Sequence, residues 1–252
     1  LWHNATISCW PTFPCSVRAL TRAAQQAGVV TQLGTQHASG VGDRQAVRWL
    51  REGVVGKVTR VILCSNRPGA VERYRLVGPR PDAGSPVPDA LAWDLWLGTA
   101  PARPFAPKIY HPQLWRSWQD FGTGWSGDIG CHIFDAVWKG LGLTAPLSVT
   151  ADVQESWRQS PARRGDTWPQ MNHIKWVFPG NDKTVGSELV VEWYDGDKFP
   201  PEEAQVLARA DGFKTYPGEA ALVFGTEGAL LLPHASGARL LPKEKFATTV
   251  RT

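Results

Sequence analysis

Cysteine is scarce, and none of it is spaced for metal or redox chemistry. Cys9, Cys15, Cys64 and Cys131 form no Cys-x-x-Cys pair and no ligand rhythm with the histidines, which speaks against zinc modules and thioredoxin-type motifs. Cys64 lies in an apolar run and Cys131 beside His132, so both are expected reduced and buried. Cys9 and Cys15 stand close enough in sequence to pair. No stretch reaches about 18 consecutive apolar residues, so no membrane-spanning helix is expected. A secretory leader is not recognised in the sequence, and the location is left open between cytoplasmic and exported. Charge is nearly balanced at a net +4. Its basic residues are dispersed apart from short clusters such as Arg163-Arg164, which argues against a nucleic-acid surface. There are no internal repeats, and no Gly-x-Gly-x-x-Gly follows an apolar strand.

Tryptophan, in contrast, is plentiful, with 13 copies in 252 residues. Scattered singly, such rings are mostly core or interface, although they also line carbohydrate sites. The chain is long enough for one large domain or two small ones. Val17–Ala27 is Ala-rich with helical spacing and Gly28 as its stop. Val29–Leu33 reads as a buried strand ending at Gly34. Asp43 is placed to cap a helix running to Glu52, with Val47, Trp49 and Leu50 inward and Gly53 ending it. Lys57–Ser65 is a strong strand. That alternation implies an α/β layer with parallel pairing. A long loop covers Asn66–Ser85, followed by irregular, aromatic-rich chain to Pro112. A helix is predicted from about Ser126 to Gly140. Strands are then expected at Leu147–Glu155, His173–Phe178, Ser187–Tyr194, Ala220–Phe224 and Ala229–Leu232, as in an antiparallel or mixed sheet. Gly225-Thr-Glu-Gly228 makes the last hairpin turn, and Trp157–Pro169 and Lys198–Pro217 are read as loop insertions.

Residues 112–135 carry most of the chemistry. Trp115-Arg116 leads into a turn at Gly122 and Gly124, and the helix beyond it presents Asp128 and His132 four residues apart, with Asp135 a turn further on. Residues at i and i+4 share a helix face. A carboxylate beside an imidazole is a proton-handling unit, because it fixes the tautomer and supports the imidazolium. The glycines permit close backbone approach to a ligand. Asp135 is expected to cap or pair within the helix. No third ligand accompanies Asp128 and His132, so no metal site is expected.

The pattern Trp-Arg, about ten residues, Gly-x-Gly, then Asp-x-Gly-x-His-x-x-Asp resembles the Gfo/Idh/MocA family of NAD(P)-dependent oxidoreductases, in particular its large bacterial branch. Val29–His37, Ala92–Gly98 and Val191–Gly196 resemble that branch as well, and the likeness runs over roughly residues 16–245. Two family features are missing: the Gly-rich dinucleotide fingerprint, and the Glu-Lys-Pro motif that supplies a catalytic lysine. Leu1-Trp-His-Asn4 is similar to the residues directly after Glu-Lys-Pro in relatives, and Thr252 falls short of the family's closing helical tail. The chain therefore reads as truncated at both ends.

The resemblance implies an α/β fold with two parts. Residues 1–56 would be the closing part of a Rossmann-like, parallel-sheet dinucleotide-binding domain. Residues 57–252 would be the substrate and oligomerisation domain, with a large mixed, mostly antiparallel sheet. It implies oxidation or reduction of a sugar or polyol by hydride transfer, with NAD or NADP as cofactor, weakly bound for want of the fingerprint. His132 would take the alcohol proton and Asp128 would hold it; Arg116 and Trp115, with Gln36, would lie at the cofactor, and His111 at the substrate. Arg116 serves equally well in an ordinary ion pair, and Gln36 in stabilising a turn. His37, His173 and His234 are expected to be structural or exposed. The sheet face would form a homo-oligomer. Two alternatives stand beside this reading: an NAD-dependent glycosidase of the same fold, and a non-catalytic oligomerisation or binding module.

Overall fold

Every strand among the described residues belongs to one seven-stranded sheet, ordered β2-β3-β4-β1-β5-β6-β7. The computed structural model describes residues 14–32, 34–67 and 74–249. They fall into two compact units, one built from residues 14–32, 74–128 and 154–170 and the other from 34–67, 129–153 and 171–249.

The second unit holds the sheet: β1 (Val58–Ser65), β2 (Ser148–Val153), β3 (Asn172–Pro179), β4 (Glu188–Asp195), β5 (Glu219–Gly225), β6 (Ala229–Pro233) and β7 (Arg239–Leu241). β1 pairs in parallel with β4, with Val61 opposite Val191, and antiparallel with β5, with Val61 opposite Val223. The remaining pairings are antiparallel. β1 is central and covered on both faces, which is why Val-Ile-Leu-Cys runs without polar alternation. β2 is the polar, exposed edge. The hairpin between β5 and β6 closes with Gly225 N–H donating to the Gly228 carbonyl at 2.8 Å, as the turn residues predict. The mixed, mostly antiparallel α/β sheet matches the expectation.

Helix α2 (Val41–Glu52) stops at Gly53, whose φ of 69° is the left-handed C-cap geometry. Trp49 and Leu50 are buried as expected. Asp43, however, is not the cap: Gly40 holds that position, and Asp43 is buried within the first turn. After α3 (Trp93–Leu97) comes α4 (Gly124–Leu141), the motif helix, which begins in the first unit and ends in the second. Its second-unit stripe of Ile133, Ala136, Val137 and Leu141 is buried, with the spacing of a core-facing helix.

Short helices α5 (Glu155–Arg158) and α6 (Pro161–Asp166) occupy the first expected insertion, and α7 (Glu202–Ala210) occupies the second. Ala204 and Ala208 of α7 pack on Ile62, Leu222 and Leu231, so this supposed loop roofs one face of the sheet.

Helix α1 (Pro14–Ala27) forms as predicted, but the strand expected after it does not. Val29 is 58% and Val30 97% exposed, in irregular chain. Apolar residues make a strand only where a neighbouring strand satisfies their backbone groups, and among the described residues none pairs with this segment.

In the first unit the tryptophans explain themselves. Trp93, Tyr110, Trp118 and Phe121 share one core with Phe105 and Leu97. Each polar ring edge finds a carbonyl: Trp93 donates to Arg103 at 2.8 Å and Trp118 to Ile109 at 3.0 Å. The buried Arg103 guanidinium lies 4.7 Å over Phe121 and pairs with Asp120.

Among the described residues no helix is long and apolar enough to cross a membrane. Cys64 is buried as expected, its thiol pushed up to about 12 chiefly by burial. Cys131 is exposed: it lies on the outward face of α4, and its place beside His132 in sequence does not turn it inward. Cys9 lies outside the described residues.

Candidate active site

In the first unit, Asp128 sits just inside the entrance of α4. Its Oδ2 accepts from the Arg116 Nε at 2.7 Å and from the Tyr74 hydroxyl. Arg116 lies on a short 3-10 turn, Leu114–Ser117. Its guanidinium stands 4.5 Å over the Trp115 ring, and its Nη1 donates to the Gln113 carbonyl at 3.2 Å. Tyr74 is buried and stacked on Trp125, centroids 4.9 Å apart. Trp115, Arg116 and Asp128 thus form one contact set, joined by Tyr74, which sequence reasoning missed. Tyr74 is remote in sequence and lies in a loop without pattern, so no local signal marks it.

The Gly-rich turn serves this set. A Cβ on Gly122 would stand 2.7 Å from the Arg116 carbonyl oxygen, and one on Gly124 (φ 69°) 2.8 Å from Trp168 Cβ. Trp168 Nε1 donates to the Gly122 carbonyl at 2.8 Å. The close approach expected for a ligand is made by the protein's own Arg116 and Trp168. His111 is exposed, its ring edge-on to Trp96 at 6.1 Å.

In the second unit, His132 is half-buried on α4, one turn beyond Asp128. Its ring lies 5.4 Å from that of His234, which in turn meets His37 edge-on at 4.7 Å. Burial, with His37 and His132 nearby, pushes His234 down to about 4, so it is neutral near pH 7. His37 and His234, expected to be structural or exposed, therefore assemble with His132. His173 does lie apart, bonded to Glu192 at 3.0 Å and stacked on Tyr194. Asp135 pairs with Lys139 at 2.8 Å within α4, as expected. Gln36 is exposed at the start of a 3-10 turn, Gln36–Ser39. The strand end that made it a cofactor candidate is not formed.

A cavity of about 280 Å³ opens beside His37, between the start of α2 and the turn after β6. Asp43 lines it, pushed up to about 6 by burial and then by Asp135, against the opposite pull of His37 and Lys139. Among the described residues no group of three or more His, Cys, Asp or Glu side chains is arranged to hold a metal ion.

Residues 41–178 match the family model described as the oxidoreductase family, C-terminal alpha/beta domain, of Gfo/Idh/MocA type. Similar folds occur in an oxidoreductase from Sinorhizobium meliloti, at 15% identity and TM-score 0.45, covering 89% of this chain and 46% of that one. An aldose-aldose oxidoreductase from Caulobacter crescentus, complexed with glycerol, is similar at 15% identity and TM-score 0.46, covering 88% and 48%. An inositol dehydrogenase homolog from Azotobacter vinelandii, complexed with NAD+, gives 12% and 0.46, covering 89% and 46%. The chain spans about half the length of these proteins. No curated protein matches the sequence. With the family model matching more than half of its residues, the chain belongs to the Gfo/Idh/MocA oxidoreductase family through that family's C-terminal α/β domain.

Proposed function

We propose that this chain carries the substrate half of an NAD(P)-linked oxidoreductase of sugar-like alcohols, with His132 as the base that takes the hydroxyl proton. Removing that proton while hydride leaves the same carbon needs a group titrating near neutrality, and imidazole is the usual choice. The observation that carries the reading is the anchoring of Asp128. Two donors, Arg116 and Tyr74, fix its carboxylate one turn before His132 on a continuous helix. In a base of this kind a carboxylate sets the tautomer and orientation of the imidazole, and that is the role proposed for Asp128.

Among the described residues no strand precedes β1, and the glycines at the α4 entrance are closed over by Arg116, Trp168 and Thr123, so these glycines offer no backbone cradle for a pyrophosphate. The chemistry assigned to this chain is therefore confined to the alcohol side, and a weak dinucleotide KM, on the order of 1 mM or above, is expected.

The test is oxidation of myo-inositol by the full chain at saturating NAD+ or NADP+. His132→Ala should lower kcat by about 10²–10⁴-fold, the usual yield of a general base, with little change in binding of the polyol. A wild-type chain without turnover, or a His132→Ala variant that keeps wild-type kcat, overturns the reading.

A further inference from the structure

The chain leaving β1 carries a cation whose ion pair uses only one edge of it. Glu219 opens β5 opposite Ser65. Its side chain is 7% exposed, and its Oε1 accepts from the Ser65 hydroxyl at 2.9 Å. The Nε of Arg67 stands 3.3 Å from the same oxygen. A buried carboxylate needs a compensating charge, which accounts for that edge of the guanidinium. Nη1 and Nη2, the end of the donor fork, take part in no hydrogen bond or ion pair among the described residues, and the side chain is 36% exposed.

The backbone fixes where that fork stands. A Cβ on Gly218 would lie 3.0 Å from the Arg67 Cα, so glycine there lets the chain after β1 close on the start of β5. The Asn66 N–H donates to the Gly218 carbonyl across the same gap. One strand further on, the His234 N–H donates to the Glu219 carbonyl at 2.9 Å, and the His234 ring lies 5.4 Å from that of His132. Arg67, Glu219, His234 and His132 thus succeed one another within the second unit. After burial, His37 and His132, the charge of Arg67 also helps to hold His234 below its usual range. β1 and β4 are the parallel pair of the sheet, and open α/β sheets bind ligands outside the carboxyl ends of such strands.

A guanidinium held through Nε presents its two Nη atoms end-on, which matches the paired oxygens of a carboxylate. Charge selects among the anions. Glu219 already offsets part of the charge of Arg67, so a monoanion is nearly balanced, whereas a dianionic phosphate leaves excess negative charge beside a buried carboxylate. A hydroxyl would use the donors and leave the charge unanswered. We propose that Arg67 is a specificity-determining residue that binds the carboxylate of an acidic sugar, whose alcohol group is the one His132 deprotonates. Placing this contact at the substrate rests on the role given above to His132; the carboxylate contact itself does not.

The experiment is calorimetric titration of the full chain with D-glucuronate and with D-glucose, which differ by a carboxylate in place of a hydroxymethyl group. Glucuronate should bind about 10–100-fold more tightly, the range of a charge-assisted contact, and added salt should narrow the gap. D-glucose 6-phosphate should bind more weakly than glucuronate. Arg67→Gln should remove the preference between the two sugars. Arg67→Lys keeps a positive charge beside Glu219 and so guards against a variant that fails to fold; without the fork it should keep only part of the preference. Circular dichroism checks that both variants fold. No binding of glucuronate, equal affinity for the two sugars, or a preference that survives Arg67→Gln overturns the proposal, as does tighter binding of the phosphate. A preference lost with Arg67 in a chain without turnover upholds the carboxylate contact and rejects only the assignment of His132. Turnover of myo-inositol that depends on His132, with no preference for glucuronate, does the reverse.

Discussion

Arg116 is tied to three partners at once. Its Nε reaches Asp128, its Nη1 reaches the Gln113 carbonyl, and its plane covers Trp115. A guanidinium can do this because its donors form a fixed fork on a flat, weakly hydrated body; an ammonium offers one point charge. Arg116→Lys should therefore keep the charge and lose the set, destabilising the protein by about 1 kcal/mol after allowance for partial exposure, read as a lower urea midpoint. Equal midpoints for variant and wild type would dismiss the clamp. Gly122 supports the same residue from behind. With the Arg116 backbone where a Cβ would lie, Gly122→Ala has no flexible neighbour to push aside, and a loss of roughly 1–3 kcal/mol is expected. Of the residues read from the sequence, Asp128 and His132 fall on one helix as their spacing requires, whereas Arg116, on a 3-10 turn, is singled out by the resemblance and not by any local pattern. Tyr74, His37, His234 and Asp43 were not legible, since nothing local to any of them shows which partners the chain folding brings near.

Helix α4 shows how two glycines on one element carry opposite meanings. At Gly140 a Cβ would stand 2.8 Å from the Leu50 side chain of α2, whereas at Gly130 the nearest atom, on Trp193, is 4.0 Å away. Alanine is favoured over glycine by about 1 kcal/mol in a helix interior. Gly130→Ala should gain most of that, and Gly140→Ala should lose roughly 1–3 kcal/mol because overpacking at the α2–α4 crossing outweighs propensity. Matching shifts of the two urea midpoints would refute the distinction. Elements were legible where periodicity and punctuation agreed: α1, α2, α4, β1 and the β5–β6 hairpin all stand within a few residues of expectation. The errors have separate causes. Val29–Leu33 had the composition of a strand without a partner among the described residues. α7 lies in the segment Lys198–Pro217 read as a loop insertion, despite Pro201 at its cap, Glu202 and Glu203 in its first turn, and Ala204 and Ala208 one turn apart. Those features mark a helix.

For the molecule as a whole, pH dependence arises from buried groups pulled in opposite directions. Asp43 is raised from 3.8 to about 6, so its contribution to stability is fully present below pH 3.8 and is lost as pH rises through 6. His234 is lowered from 6.5 to about 4; its contribution is present above pH 6.5 and is lost as pH falls through 4. Between pH 4 and 6 the two oppose one another. Above about pH 7 His234 is neutral in both states, and of these two groups the Asp43 carboxylate alone still weighs against folding, by an amount on the order of 3 kcal/mol from its displacement. Asp43→Asn should therefore be more stable than wild type at about pH 8, by about 2–3 kcal/mol, and should lose that advantage near about pH 4. Urea midpoints at the two pH values measure this directly, and parallel profiles for the two proteins would refute it.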